Sequence, residues 1–377
     1  MLFLCYNFSG CDYMKFLQNN KKFLIIYSLL LIVGIGFIIF TYNNYSLYNK
    51  TIVKVIETKD EYITTESVTF GYNEELYKET IKAKVLNGEY KNEIVTIEND
   101  YHKGEAYDQR YAKGDELFVS INKDNVHIEG YKRDKYIAIL VVFFSLIIII
   151  VGKIKGFLSI ISVVINIVIF NILVYMHAYK MANLALLSFI GAIIFSIICL
   201  TLVSGFNKKT LSAILSSVIG VSLVTLISLI VIKITNYSGI RFEQMELLTR
   251  PYEGVFISEI ILGGLGAIMD ISISMSSSLN ELIEKDNKIT RKALVKSGFN
   301  IGKDIMSTMI NVLFFTYICT SMANLTIYFR NGITLSSLLD EYISLEMTRA
   351  LTGAIGITIT IPIAIYITLF IYKRRAK

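Results

Sequence analysis

Ile257–Ile283, ISEIILGGLGAIMDISISMSSSLNELI, decides the fold. It is long enough to cross a bilayer, and between Glu259 and Glu281 its only charged residue is Asp270. A carboxylate inside such a segment is costly, so it is rare unless it faces a protein interior or a water-filled path. A connector of 17 residues, EKDNKITRKALVKSGFN, leads to a second apolar run, IGKDIMSTMINVLFF, which carries Asp304. Two apolar helices with one carboxylate each form the leading candidate site.

Composition agrees with a membrane-embedded chain. Of 377 residues 54% are hydrophobic, two are proline, none is tryptophan, and the mean hydropathy is +0.55. Eight apolar segments approach or exceed the length that spans a hydrocarbon core: Phe23–Tyr42, Tyr136–Gly152, Gly156–Tyr179, Met181–Phe206, Thr210–Ile232, Gly254–Leu279, Ile301–Phe329 and Met347–Tyr372. The expected organisation is a cytoplasmic segment 1–22, an anchor helix 23–42, an outer domain 43–134 and a seven-helix membrane domain 135–377. Met14 opens a positively charged start followed by an apolar run, the pattern of a retained signal anchor, and reads as the true beginning.

Lys and Arg set the orientation, because positive residues in short loops stay on the cytoplasmic side. With the N-terminus inside, the inner segments hold sixteen such residues and the short outer loops five. Both termini are then cytoplasmic, residues 43–134 lie outside, and the bacterial plasma membrane is the expected location. Residues 43–134 carry 13 basic and 18 acidic residues, so the other parts of the chain account for more than the whole net charge of +6. That surplus reads as topology and contact with anionic lipid, and excludes a nucleic-acid role.

The outer region reads as β. TIVKVIE, ETIKAKVL, EIVTIE, DELFVSI and NVHIEGY largely alternate apolar and polar residues, with turn chemistry at Asn87-Gly88 and Lys113-Gly114-Asp115. A small all-β domain, an OB-like barrel or a sandwich, is expected between helices 1 and 2 of a polytopic α-helical membrane protein. Its tyrosines, among them Tyr62, Tyr77, Tyr101 and Tyr111, read as packing residues. None of Cys5, Cys11, Cys199 and Cys319 lies in this domain, and the three histidines are scattered, so neither disulfides nor a metal site is expected. No cofactor is expected.

In the membrane part Glu259, Gly263, Gly266, Asp270, Ser274, Ser277 and Glu281 recur at three- and four-residue intervals on one face of a helix. Asp304, Thr308 and Asn311 share a face of the next helix, and Arg349, Gly353, Gly356 and Thr360 a face of the last. Gly263, Gly266, Gly353 and Gly356 read as helix-packing positions. Glu346 and Arg349 read as a local ion pair. Asp270, Asp304, Glu259, Ser274, Thr308, Asn311 and Arg349 are the candidates for ion binding or transport. Asp270 and Asp304 fall in the same half of the membrane, at depths that differ by under about 10 Å.

GGLGAIMDISISMSSSLNEL, SGFNIGKDIMSTMINVLFFTY and EMTRALTGAIGITITIPIAI, with the layout of anchor, outer β domain and membrane helices, resemble the YibE/F-like family of bacterial membrane proteins. The resemblance puts Gly266, Asp270, Gly302, Asp304, Thr308, Asn311 and Arg349 on motif positions. It implies a multi-pass plasma-membrane protein for which transport is the usual guess, and no substrate.

Two functions follow. In the first, the polar stripes line the path of a secondary permease for a small solute or ion. In the second, the helices anchor the β domain as a non-transporting assembly or sensing module, with a membrane partner or a second copy. No P-loop is present. An intramembrane aspartyl protease would need both aspartates around one water, and the GLGAIMD segment lacks the Gly-x-Gly-Asp turn of such enzymes, so an enzyme is not expected.

Overall fold

The period-two alternation of the outer region builds five antiparallel strands, β1 (Thr51–Val68), β2 (Tyr72–Val85), β3 (Ile94–His102), β4 (Glu116–Asn122) and β5 (Asn125–Tyr131). In this computed structural model, which describes residues 21–68, 72–104, 108–122, 125–180, 182–237, 240–245, 252–286 and 288–372, they form one sheet in the order β3-β2-β1-β4-β5. The expectation about Met14 lies outside the described residues. The chain divides into two compact units, 1–151 and 152–377.

In the first unit the inward positions Val53, Val55, Ile81, Ala83, Val85, Ile97, Leu117 and Val119 are all buried. β1 and β2 run far beyond the short alternating stretches that announce them, pairing from Val53 with Val85 to Val68 with Tyr72. Gly88 takes the left-handed conformation (φ 81°) that its turn demands. The Asn87 side chain accepts from the Ile52 amide at 2.6 Å and donates to the Tyr45 and Lys50 carbonyls at 3.0 and 2.9 Å, which fixes the segment entering β1. Tyr101 and Tyr111 are buried as expected of packing residues. Tyr77 stacks on Tyr101 at 5.5 Å and meets Tyr62 edge-on at 5.8 Å, so the row of rings runs from core to surface. Tyr62 is exposed.

Helices α1 (Lys21–Asn43) and α2 (Asp134–Lys180) flank the sheet in the chain. At their junction Lys132 is wholly buried. Its Nζ donates to the Thr41 carbonyl (3.0 Å) and to Asp134 Oδ1 (2.9 Å) and lies 3.3 Å from Glu116 Oε2. The rings of Tyr45 and Tyr48 stand 5.2 and 5.8 Å from it. Tyr45 donates to Glu116 at 3.0 Å, and burial followed by that bond pushes its phenol up to about 12. A buried ammonium needs this much compensation because desolvation costs several kcal/mol.

The second unit packs α3 (Leu184–Ser204), α4 (Lys208–Ile234), α5 (Tyr252–Lys285), α6 (Arg291–Thr320), α7 (Met322–Arg330) and α8 (Ser344–Ile371). Side-chain caps start three of them: Asn183, Asn207 and Thr290 accept from Leu186, Thr210 and Ala293 amides. The helix α8 packs against α4, α5 and α6. Close approach is permitted where side chains are missing: a Cβ at Gly302 would stand 2.5 Å from Ile361, and one at Gly356 would stand 2.9 Å from Ile268. A buried hydroxyl relay ties three helices, Ser276 donating to Ser212 (3.2 Å), Ser212 to Thr368 (2.7 Å) and Thr368 to the Ala364 carbonyl.

Among the described residues five helices are long and apolar enough to cross a membrane, or up to six when the bent pair α6 and α7 is taken as one span. The segments 136–152 and 156–179, expected as separate spans, fall within α2, whose backbone leaves helical geometry at Lys153 (φ 51°, ψ −129°). Gly152 and Gly156 bracket that break without a loop.

Two outcomes are expected in the first unit. Lys132→Met takes the cation from Asp134 and leaves Glu116 with Lys135 alone, 3.8 Å away, and lowers the unfolding free energy by about 3–5 kcal/mol, read by chemical denaturation of the full chain. His102 Nδ1 lies 2.6 Å from Asp108, and that bond raises the imidazole above its ordinary value. The stability this contributes is complete below about pH 6.5 and fades as pH rises through the raised value. Asp108→Asn should flatten this dependence in thermal unfolding scans across that window.

Candidate functional site

Arg349 and Glu346 stand one turn apart near the start of α8, and Glu259 lies seven residues into α5. The arginine Nη1 bonds Glu346 at 2.5 Å and its Nη2 bonds Glu259, so one guanidinium clasps a carboxylate on each of two helices. Its Cζ sits 5.7 Å from the ring centroid of Phe256, which is fully buried and meets Phe242 edge-on. The Arg349 side chain is 14% exposed, Glu346 18% and Glu259 38%, and Arg349 Nε is enclosed without a hydrogen-bond partner. The sequence presented Glu346–Arg349 as a local pair; Glu259 makes it an interhelical one.

The cluster borders a cavity of about 510 Å³. The junction of α6 and α7 lines the same cavity, with Thr320, Ser321 and Asn324. The two helices meet there at 58°. Ser321 sits at φ −93°, ψ 2°, its amide bonding back to the Ile318 carbonyl, and the Thr320 hydroxyl donates to the Tyr317 carbonyl. These local bonds satisfy part of the chain end while the α-helical ladder stops, as a break inside a membrane segment requires.

The two aspartates lie elsewhere. The helices α5 and α6 run antiparallel, with Gly263 against Tyr317 and Gly298 against Leu279. At about 1.5 Å per residue this register puts Asp270 within roughly a turn of both Asp304 and Thr308 in depth. Asp270, Gly266, Asp304, Thr308 and Asn311 are all exposed on the surface of the unit, and Ser274 is half-buried. Among the described residues no hydrogen bond or ion pair joins Asp270 to Asp304, and neither lines the cavity. The expectation of a hydrated gap inside the bundle is therefore corrected: both carboxylates face outward. The reason is the opposite face of α5, where Ile260, Ile261, Leu265, Ile268, Ile271, Met275 and Leu279 fill the core. Gly353 and Gly356 do face inward, against Leu313 and against Ile268 with Val224, whereas Gly266 borders open space.

A family model described as YibE/F-like protein matches residues 140–374, and one described as YibE/F family N-terminal domain matches 46–134. The chain belongs to the YibE/F family. Neither the curated proteins nor the solved structures gave a match. The N-terminal YibE/F module coincides with the five-stranded sheet, and the larger one contains α3 to α8.

Sequence reasoning on this YibE/F protein missed two features, the Lys132 joint and the break at Ser321. The first had a signal in the charged run Lys132-Arg133-Asp134-Lys135 at the mouth of an apolar helix. The second was hidden because residues 301–329 are apolar enough throughout to read as one span.

Arg349→Met should destabilise the membrane unit by about 2–4 kcal/mol, because it strands two partly buried carboxylates. Combining it with Glu259→Gln and Glu346→Gln should restore most of that loss. Denaturation midpoints in detergent or bicelles measure both.

Proposed function

We propose that this YibE/F protein is a secondary permease for a small solute, with its entry chamber at the Glu259–Arg349–Glu346 cluster. The observation that carries the reading is the pairing of an interhelical ion triad with a cavity at a break in a membrane helix. Broken helices and intramembrane charges recur where transporters bind their cargo, because a helix end supplies backbone groups that an unbroken helix keeps to itself.

On this reading the chain crosses the bacterial plasma membrane eight times: α1, the two halves of α2 on either side of Lys153, α3, α4, α5, the bent α6–α7 pair and α8. Both termini are cytoplasmic, and the sheet, which we read as an OB-like barrel, faces outside. The chamber then opens on the outer side, about 10 Å into the span by helical rise. We assign the coupling proton or cation to Asp270 and Asp304, which face out of the bundle apart from the chamber and lie within roughly a turn of one another in depth. An outward-facing pair without a mutual bond is poorly suited to share one catalytic water, which supports a transporter over a protease. The buried Lys132 joint favours a second reading, in which the helices hold the β domain rigidly as an envelope module that moves no solute.

Proteoliposomes carrying an internal pH or sodium dye distinguish these readings. A panel of diamines, amino acids, dicarboxylates and sugars is added in turn. We expect at least one class to drive ion flux, and Asp270→Asn or Asp304→Asn to lower that flux tenfold or more. No solute-driven flux in the wild-type protein, or equal flux in both variants, contradicts the permease mechanism.

A further inference from the structure

Resting on the permease reading, we infer that the chamber is built for an organic cation, a solute carrying an ammonium group on a short apolar chain. The sign of the charge follows from how the triad is wired. Among the described residues of the wall, two carboxylates and one guanidinium leave a formal excess of one negative charge. Both Nη groups of Arg349 are already committed to Glu346 and Glu259, and its Nε is closed off. An arriving anion meets a guanidinium already held by two carboxylates and must compete with both glutamates for its other N–H groups. An arriving ammonium finds Glu259, the most exposed of the three, with lone pairs to spare.

The rest of the lining sets the shape of the solute. Val255, Ile343 and Leu345 give apolar lining, while Ser321 and Asn324 offer neutral polar groups. The volume of about 510 Å³ lies in the range of small-molecule sites and is far larger than a bare ion needs. A hard divalent ion is a poor fit on chemistry as well, since calcium takes six to eight oxygens and magnesium a near-ideal octahedron. Among the described lining residues two are carboxylates, and both are engaged by Arg349. An isometric space of this volume is about 8–10 Å across, room for a four-carbon diamine.

Binding and movement are measured separately. The purified full chain in nanodiscs is titrated calorimetrically with putrescine, with succinate as an anion of matched length, and with Mg²⁺. We expect saturable heat from putrescine alone, at least tenfold weaker binding in Glu259→Gln, and a preference for succinate in the Glu259→Gln/Glu346→Gln double variant, whose wall has gained a net positive charge. Val255→Phe narrows the chamber without touching the triad and should also abolish putrescine binding, which covers the case in which the charge variants fail to fold. Succinate or Mg²⁺ bound by the wild type in place of putrescine, or putrescine binding unchanged in Glu259→Gln and in Val255→Phe, overturns the assignment. In proteoliposomes, putrescine that binds but does not cross sinks the permease reading and keeps the ligand class. Succinate that crosses while putrescine fails to bind does the reverse.

Discussion

A guanidinium held inside a bilayer must be neutralised where it stands, and that requirement organises the membrane unit. Arg349 cannot shed its proton, so the helix that carries it is tied to whichever neighbours supply carboxylates. Glu346 comes from the preceding turn and Glu259 from α5. The clasp brings α5 and α8 together at one end. Gly356 and Gly302 let α8 lie close to α4, α5 and α6 along the rest of its length, and the Ser276–Ser212–Thr368 relay secures the other end at about 0.6 kcal/mol for each interhelical bond. The chamber sits beside the charged end because α6 breaks at Ser321 and does not fill the space.

The first unit meets the same physical problem at Lys132 with the same kinds of group: a cation, two carboxylates, here Glu116 and Asp134, and aromatic faces. The two sites differ in access. Lys132 has no exposed surface, and its ammonium is held within the joint between the sheet and its flanking helices by Thr41 and Asp134, with Glu116 beside it. The Arg349 cluster leaves Glu259 partly exposed beside a cavity. Enclosure suits a structural joint, and access suits a binding site.

Much of the architecture was legible because it rests on period and length alone. Alternation in TIVKVIE, ETIKAKVL and DELFVSI marks β1, β2 and β4, and the Asn87-Gly88 turn follows from the one residue type that takes a positive φ without strain. Apolar length marks the membrane helices, although it cannot tell that residues 136–152 and 156–179 meet at Lys153 with no loop between them. What period cannot give is which face of a membrane helix turns inward. Lipid and protein core are equally apolar, so a stripe such as Gly266–Asp270–Ser274 carries no label for inside or outside. The core of α5 was decided by the large residues on its other side. Arg349 and Glu259 were both visible as candidates, but their meeting depends on two helices 90 positions apart in the chain.

The central claim is that a water-filled chamber borders the Arg349 cluster. Cysteine accessibility tests it directly. In a cysteine-free background, Ser321→Cys is placed in the chamber wall and Ile357→Cys in the dry core of α8, and intact cells are treated with a membrane-impermeant maleimide. This account predicts rapid labelling of the first and none of the second. A Ser321→Cys protein that stays unlabelled until denatured, with its stability unchanged, would contradict it.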